Sequence, residues 1–213
     1  DLMIRTVQEA NFGEHQRIKE LLNFISADNE QSLTQNGHVL AMANAASQLT
    51  EVASTNDLTS GIRFINNTGL LSKNIGDEGS LDVYIKNLKS IQSKISLTPK
   101  NIFTASSLNQ DEMDLKSFSG LNAADVDEQN FIKVQDKSIG WITGSQVCFC
   151  AEAFPTVDSS HEDAPALSVL GTVLRNGYLH SAIREKGGAY GAGAMQDSHN
   201  SVFKFFSYRD PKC

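Results

Sequence analysis

The hydrophobic positions of this chain follow two rhythms, one helical and one mixed. In the first hundred or so residues, apolar side chains recur three or four apart, the period of an amphipathic helix. Ile18, Leu21, Leu22 and Ile25 mark a stripe that predicts a helix over residues 1–27, broken by Asp28, Asn29 and Glu30. Leu40, Ala43, Ala46 and Leu49 predict a second helix over 33–52, whose alanines and glycine suit close packing. Thr55, Asn56 and Asp57 offer an N-cap for a third, reaching about Leu71. Ser80 is the cap expected for a fourth, with Leu81, Ile85, Leu88, Ile91 and Ile95 at helical intervals and Pro99 as its terminator.

A strand is then expected at NIFTASSL, residues 101–108, followed by a polar connector over 109–138 with a short helix near 112–118. From Ile139 the pattern recovers. In SQVCFCAEAF, residues 145–154, Val147, Phe149, Ala151 and Ala153 alternate with Cys148, Cys150 and Glu152, which predicts a strand stopped by Pro155. Ser160 and Asp163 resemble a capping box, and Pro165 suits a helix start. Leu167, Leu170, Val173 and Leu174 predict a core-facing helix, interrupted by Gly177. SVFKFFSY, residues 201–208, reads as an aromatic-rich hairpin partner. Helices first, then a strand-helix-strand-strand unit, give an α+β class with a mostly antiparallel sheet.

The stretch LHSAIREKGGAYGAGA, residues 179–194, stands out. Leu179 and Ile183 share a helix face, and Gly187 and Gly188 follow Arg184, Glu185 and Lys186 where a C-cap falls. The strand beyond is nearly bare of side chains, which lets another backbone approach. Reversal at the glycines brings Arg184 and Tyr190 towards one place. A fork-shaped cation and a hydroxyl donor there suit a carbonyl or a developing oxyanion. The plainer reading is a solvated helix-end cation, favoured by the macrodipole, beside a half-buried tyrosine.

Composition narrows the options. The chain has 213 residues, 40% of them hydrophobic, with 25 acidic against 18 basic side chains and a formal charge of −7. That acidity argues against nucleic acid as a partner. No apolar run approaches the ~20 residues needed to cross a bilayer, so no membrane partner is expected. Cys148 and Cys150 read as buried structural thiols, and a reducing compartment as the simpler setting. Both ends look like cuts through regular elements, so a fragment of a longer protein is expected. With no targeting segment in view, a bacterial cytoplasm is the expected location and an organellar matrix the second choice.

The chain's own metal chemistry is unpromising. None of His15, His38, His161, His180 and His199 lies four residues from another, so no helical histidine pair exists. His161-Glu162-Asp163 is better explained as charge at a helix N-terminus. No G-x-S-x-G elbow is present. The glycines near residue 190 follow a helix and precede a strand, the reverse of a dinucleotide fingerprint.

LHSAIREKGGAYGAGA with FKFFSYRDP resembles the presequence-protease branch of the M16 (insulinase-like, pitrilysin) zinc metallopeptidases. WITGSQVCFCAEAFP and APALSVLGTVLRNGYL resemble the same region, and NGHVLAMANAASQLT, STNDLTSGIRFINN and KNIFTASSL are similar in order to what precedes it. The resemblance implies two halves closing like a clamshell. Zinc is then held by H-x-x-E-H and a later glutamate of the N-terminal half, and this chain ligates no metal. Residues 1–118 would end one domain, 119–138 connect, and 139–213 begin the next. The chain's partners would be that N-terminal half and peptide substrates. Arg184 and Tyr190 would bind the substrate backbone, with Gly188, Ala189 and Gly191 lining it. The alternative within the family is an inactive peptide-binding or structural subunit.

Overall fold

The computed structural model describes residues 5, 6, 8–76, 78–97 and 138–212. The strand expected at 101–108, the connector with its short helix, Pro99 and Cys213 lie outside the described residues. Two compact units emerge: one takes residues up to 22 and from 72 to 97, the other residues 23–71 and 138–212. In the first, Leu22, Ile75, Leu81 and Ile85 are buried.

The helices are α1 (His15–Ala46), α2 (Glu51–Ser60), α3 (Ile62–Asn74) and α4 (Glu78–Leu97). The break expected at Asp28–Glu30 does not occur. Helix α1 runs through it and departs from helical geometry at Asn36 (φ −116°, ψ 19°). Polar residues are poor helix stops where no alternative cap competes, because their side chains simply face water. The cap of α2 is Thr50 and not Thr55–Asp57: its hydroxyl accepts from the Ala53 N–H at 3.3 Å. Asp57 is instead fully buried, for reasons given below.

The second unit is built on a three-stranded antiparallel sheet in the order β1 (Ala151–Pro155), β3 (Val202–Tyr208), β2 (Gly191–Asp197). The α+β class expected from the pattern is therefore what the chain adopts. Successive β3 residues serve opposite faces. Val202 packs with Ala46 and Ala53 of α1 and α2, while Phe203 and Phe205 join Leu179, Ile183 and Ala194. The strand expected over 145–154 is regular only from Ala151. Before that, Cys148 makes an isolated bridge to Asp210. Neither sulfur there is buried as expected: Cys150 is exposed and free, and Cys148 is half-buried.

Helix α5 (Ala164–Leu174) packs on β2 through its one internal glycine. A Cβ added to Gly171 would lie 2.9 Å from the Ala194 carbonyl oxygen. This close approach sets the rotation of the helix. Ala164, Leu167, Gly171 and Leu174 form the inner stripe, and Leu170 and Val173, expected in the core, are exposed. The cap differs too: Asp163 is the N-cap residue without a side-chain bond, and Ser160 bonds Asp158 instead. Gly177 interrupts nothing, because the helix continues from Arg175 to Lys186 as a π-helix.

Candidate functional site

The π-helix carries Arg184 to the end of the sheet. Its i→i+5 bonding aligns side chains five apart, and His180 Nδ1 meets Glu185 Oε1 at 3.4 Å across that interval. Leu179 faces the core beside the half-buried Ile183. Arg184 points outward and, with Glu185 turned to His180, makes no ion pair among the described residues.

The chain then reverses. The Gly187 N–H donates to the Arg184 carbonyl and closes the helix. Gly188 takes φ +84°, a left-handed conformation that disfavours side chains. Its N–H also donates to the Arg184 carbonyl, at 3.3 Å, and that of Ala189 to Ile183 at 3.2 Å. Ala189 is buried beneath the turn. Tyr190 follows in a bend just before β2, its N–H donating to the Arg209 carbonyl at 3.3 Å.

Arg184 and Tyr190 meet as a cation–π pair, the guanidinium carbon 5.5 Å from the ring centroid. Tyr190 is 63% exposed and Arg184 is exposed as well. Neither side chain has a hydrogen-bond partner among the described residues, so the guanidinium N–H groups and the phenol O–H face solvent. Stacking on the ring limits the wandering of a long side chain without consuming its donors. Gly191 opens β2, which among the described residues is an edge strand.

The small residues of β2 are accounted for on both faces. Ala194 receives α5 at Gly171, and Ala192 belongs to the same cluster. On the other face the Phe206 ring lies across Gly193, where an added Cβ would be 2.6 Å from ring carbons. Among the described residues, no strand pairs with the outer backbone edge of β2. A separate cavity of about 900 Å³, lined by α1 residues such as Asn44 and by Trp141 and Phe149, includes neither Arg184 nor Tyr190.

Residues that pattern reasoning missed stand behind Tyr190. Tyr208, the last residue of β3, meets the Tyr190 ring at 5.8 Å between centroids and 68° between planes. His38 of α1 meets Tyr208 from another side at 4.7 Å. Burial lowers the His38 pKa, and its Nδ1 is buried without a partner among the described residues. Alternation along SVFKFFSY puts Phe206 and Tyr208 on one face, but nothing local points to His38.

Among the described residues no group of three or more His, Cys, Asp or Glu side chains could hold a metal. The described residues do not fit a zinc site, and no step involving a metal is built on them.

The α+β unit is what the resemblance to the M16 peptidases implies for this region, and the chain belongs to that family. Residues 1–70 match the family model for the domain associated with subfamily C of the M16 peptidases, and residues 141–213 that described as "PreP C-terminal domain". Within the family it falls in the presequence-protease branch. It is 28% identical to the mitochondrial presequence protease of Kluyveromyces lactis, covering 95% of this chain and 22% of that protein. Identity is 29% to that of Drosophila melanogaster (96% and 20%) and 32% to that of Emericella nidulans (91% and 20%). The chain thus spans about one fifth of the length of these curated relatives. They also correct the expected location. Each is named as mitochondrial, which overturns the bacterial cytoplasm inferred from a missing targeting segment. A chain spanning one fifth of such proteins gives no basis for reading a leader as present or absent.

Proposed function

We propose that this chain is part of the C-terminal half of a peptidase that hydrolyses short or unfolded peptides. In this reading it supplies substrate-binding groups to a reaction whose zinc is held by the N-terminal half. Residues 1–118 end one domain and 139–213 begin the next. Membership of the presequence-protease branch supports the activity of the whole. The observation that carries the residue roles is the exposed pair Arg184–Tyr190 beside β2, an edge strand among the described residues.

The roles follow from donor chemistry. An extended peptide lies along the exposed Gly188 and the half-buried Gly191, while Ala189, buried beneath the turn, supports that surface from below. Arg184 and Tyr190 donate to a backbone carbonyl oxygen near the scissile bond. As that oxygen gains charge in the transition state, fixed donors stabilise it more than they stabilise the ground state. Arg184 also binds the peptide through charge-assisted hydrogen bonds.

The test uses the full-length protein. Arg184→Ala and Tyr190→Phe are each expected to lower kcat on the order of 10²–10³-fold, the usual effect of one oxyanion donor, with zinc content unchanged. Parent-like turnover in both variants would overturn the assignment.

A further inference from the structure

Resting on that reading, we infer that Tyr208 is a positioning residue: its ring is the wall that fixes the orientation of Tyr190. Tyr190 sits in a bend outside β2, and most of its surface is in water. Its backbone is held by the bond to Arg209, but that leaves the side-chain torsions free. Among the described residues, two contacts restrict the ring. One is the Arg184 guanidinium, itself exposed on a flexible stem. The other is the ring of Tyr208.

Of these two, Tyr208 is the rigid one. It ends β3, the central strand, in register with Gly191. Its ring is braced by His38 at 4.7 Å and Phe149 at 5.7 Å, with the Arg209 guanidinium 5.4 Å from its centroid. Phe149 is seated in turn against α1, where an added Cβ on Gly37 would lie 2.3 Å from its ring. The orientation of an exposed phenol is therefore set by packing that begins on α1. Aromatic pairs favour this edge-to-face geometry, and the restraint needs the ring and not the Tyr208 hydroxyl.

The experiment is a mutant cycle in the full-length protein with peptide turnover as readout. Tyr208→Leu removes the wall and is expected to lower kcat by about 10-fold or more with little change in KM, as for a misplaced catalytic group. Tyr208→Phe keeps the wall and is expected to retain turnover. In a Tyr190→Ala background, Tyr208→Leu is expected to cost nothing further, because the group it positions is gone. Parent-like kcat in Tyr208→Leu, or an equal loss in both backgrounds, would overturn the inference. So would a loss in Tyr208→Phe as deep as in Tyr208→Leu, a comparison that still decides if the leucine variant folds poorly. If Arg184→Ala and Tyr190→Phe abolish turnover while Tyr208→Leu does not, this inference fails and the peptide-binding reading stands. If none of the three matters, the peptide-binding reading itself has failed.

Discussion

The Arg184 guanidinium stacks over the Tyr190 ring, 5.5 Å from its centroid, although a π-helix end and two glycines separate the residues along the chain. The stack depends on the path between them. Gly187 must close the helix, Gly188 must turn left-handed, and Ala189 must tuck under, before Tyr190 can emerge beside the helix end.

Gly188 is the most sensitive point of that path. Its φ of +84° disfavours any side chain, although an added Cβ would meet only Pro211 Cγ, at 3.8 Å. The cost of Gly188→Ala is therefore conformational, about 1 kcal/mol. Urea denaturation is expected to show that modest loss. Peptide turnover of the full-length protein is expected to fall further than the stability loss explains, because the turn aims Tyr190.

Gly193 is constrained by space and not by backbone conformation. In Gly193→Ala the new methyl would meet the Phe206 ring at 2.6 Å. Overpacking of this kind costs roughly 1–3 kcal/mol. Adding Phe206→Leu should recover part of the loss in a denaturation experiment. No recovery would mean that the ring contact is not the cause.

The helices of the second unit are pinned by one buried carboxylate. Asp57 Oδ2 accepts from Asn44 Nδ2 at 2.9 Å and from Arg63 Nε at 2.5 Å. Asn44 Oδ1 accepts from Trp141 Nε1 at 3.2 Å, and Arg63 donates to the Ser54 carbonyl and hydroxyl, each at 3.0 Å. Asp57→Ala leaves Arg63 unpaired in a site where only 27% of its side chain reaches water. The expected loss is about 3 kcal/mol, the low end for a broken buried pair because of that residual exposure. Denaturant midpoints at constant m-value would check it.

Stability should depend on pH through His38. Burial lowers its pKa in the folded chain below the ordinary 6.5, so the fold prefers the neutral ring. As pH falls below 6.5 the unfolded chain takes up this proton first, and stability declines until the folded pKa is passed. Thermal unfolding from neutral to mildly acidic pH is expected to show this slope, and His38→Leu to flatten it.

A second window opens in acid. Burial of Asp197 acts to raise its pKa, but hydrogen bonds from Lys204 and Asn200 outweigh it and leave the pKa below the usual 3.8. The stability it contributes is complete above about 3.8 and is lost as pH falls through the folded value. Asp197→Asn should remove this acid-range contribution and weaken the β2–β3 turn, where Asp197 binds both Lys204 and Asn200.

Local chemistry made the α+β class, the β2–β3 hairpin and the helix-turn-strand path of residues 179–194 legible in the sequence. Period, alternation and glycine placement are properties of neighbouring residues. The tertiary structure alone decided how far each element runs and which face it buries. Gly171 against Ala194 rotated α5, so that Leu170 and Val173 lie outside the core. Partners thirteen and six residues away drew Asp57 inward from its expected capping role. The bracing of Tyr208 by His38 joins residues from opposite ends of the chain, and a one-dimensional pattern carries no term for contacts at such separation.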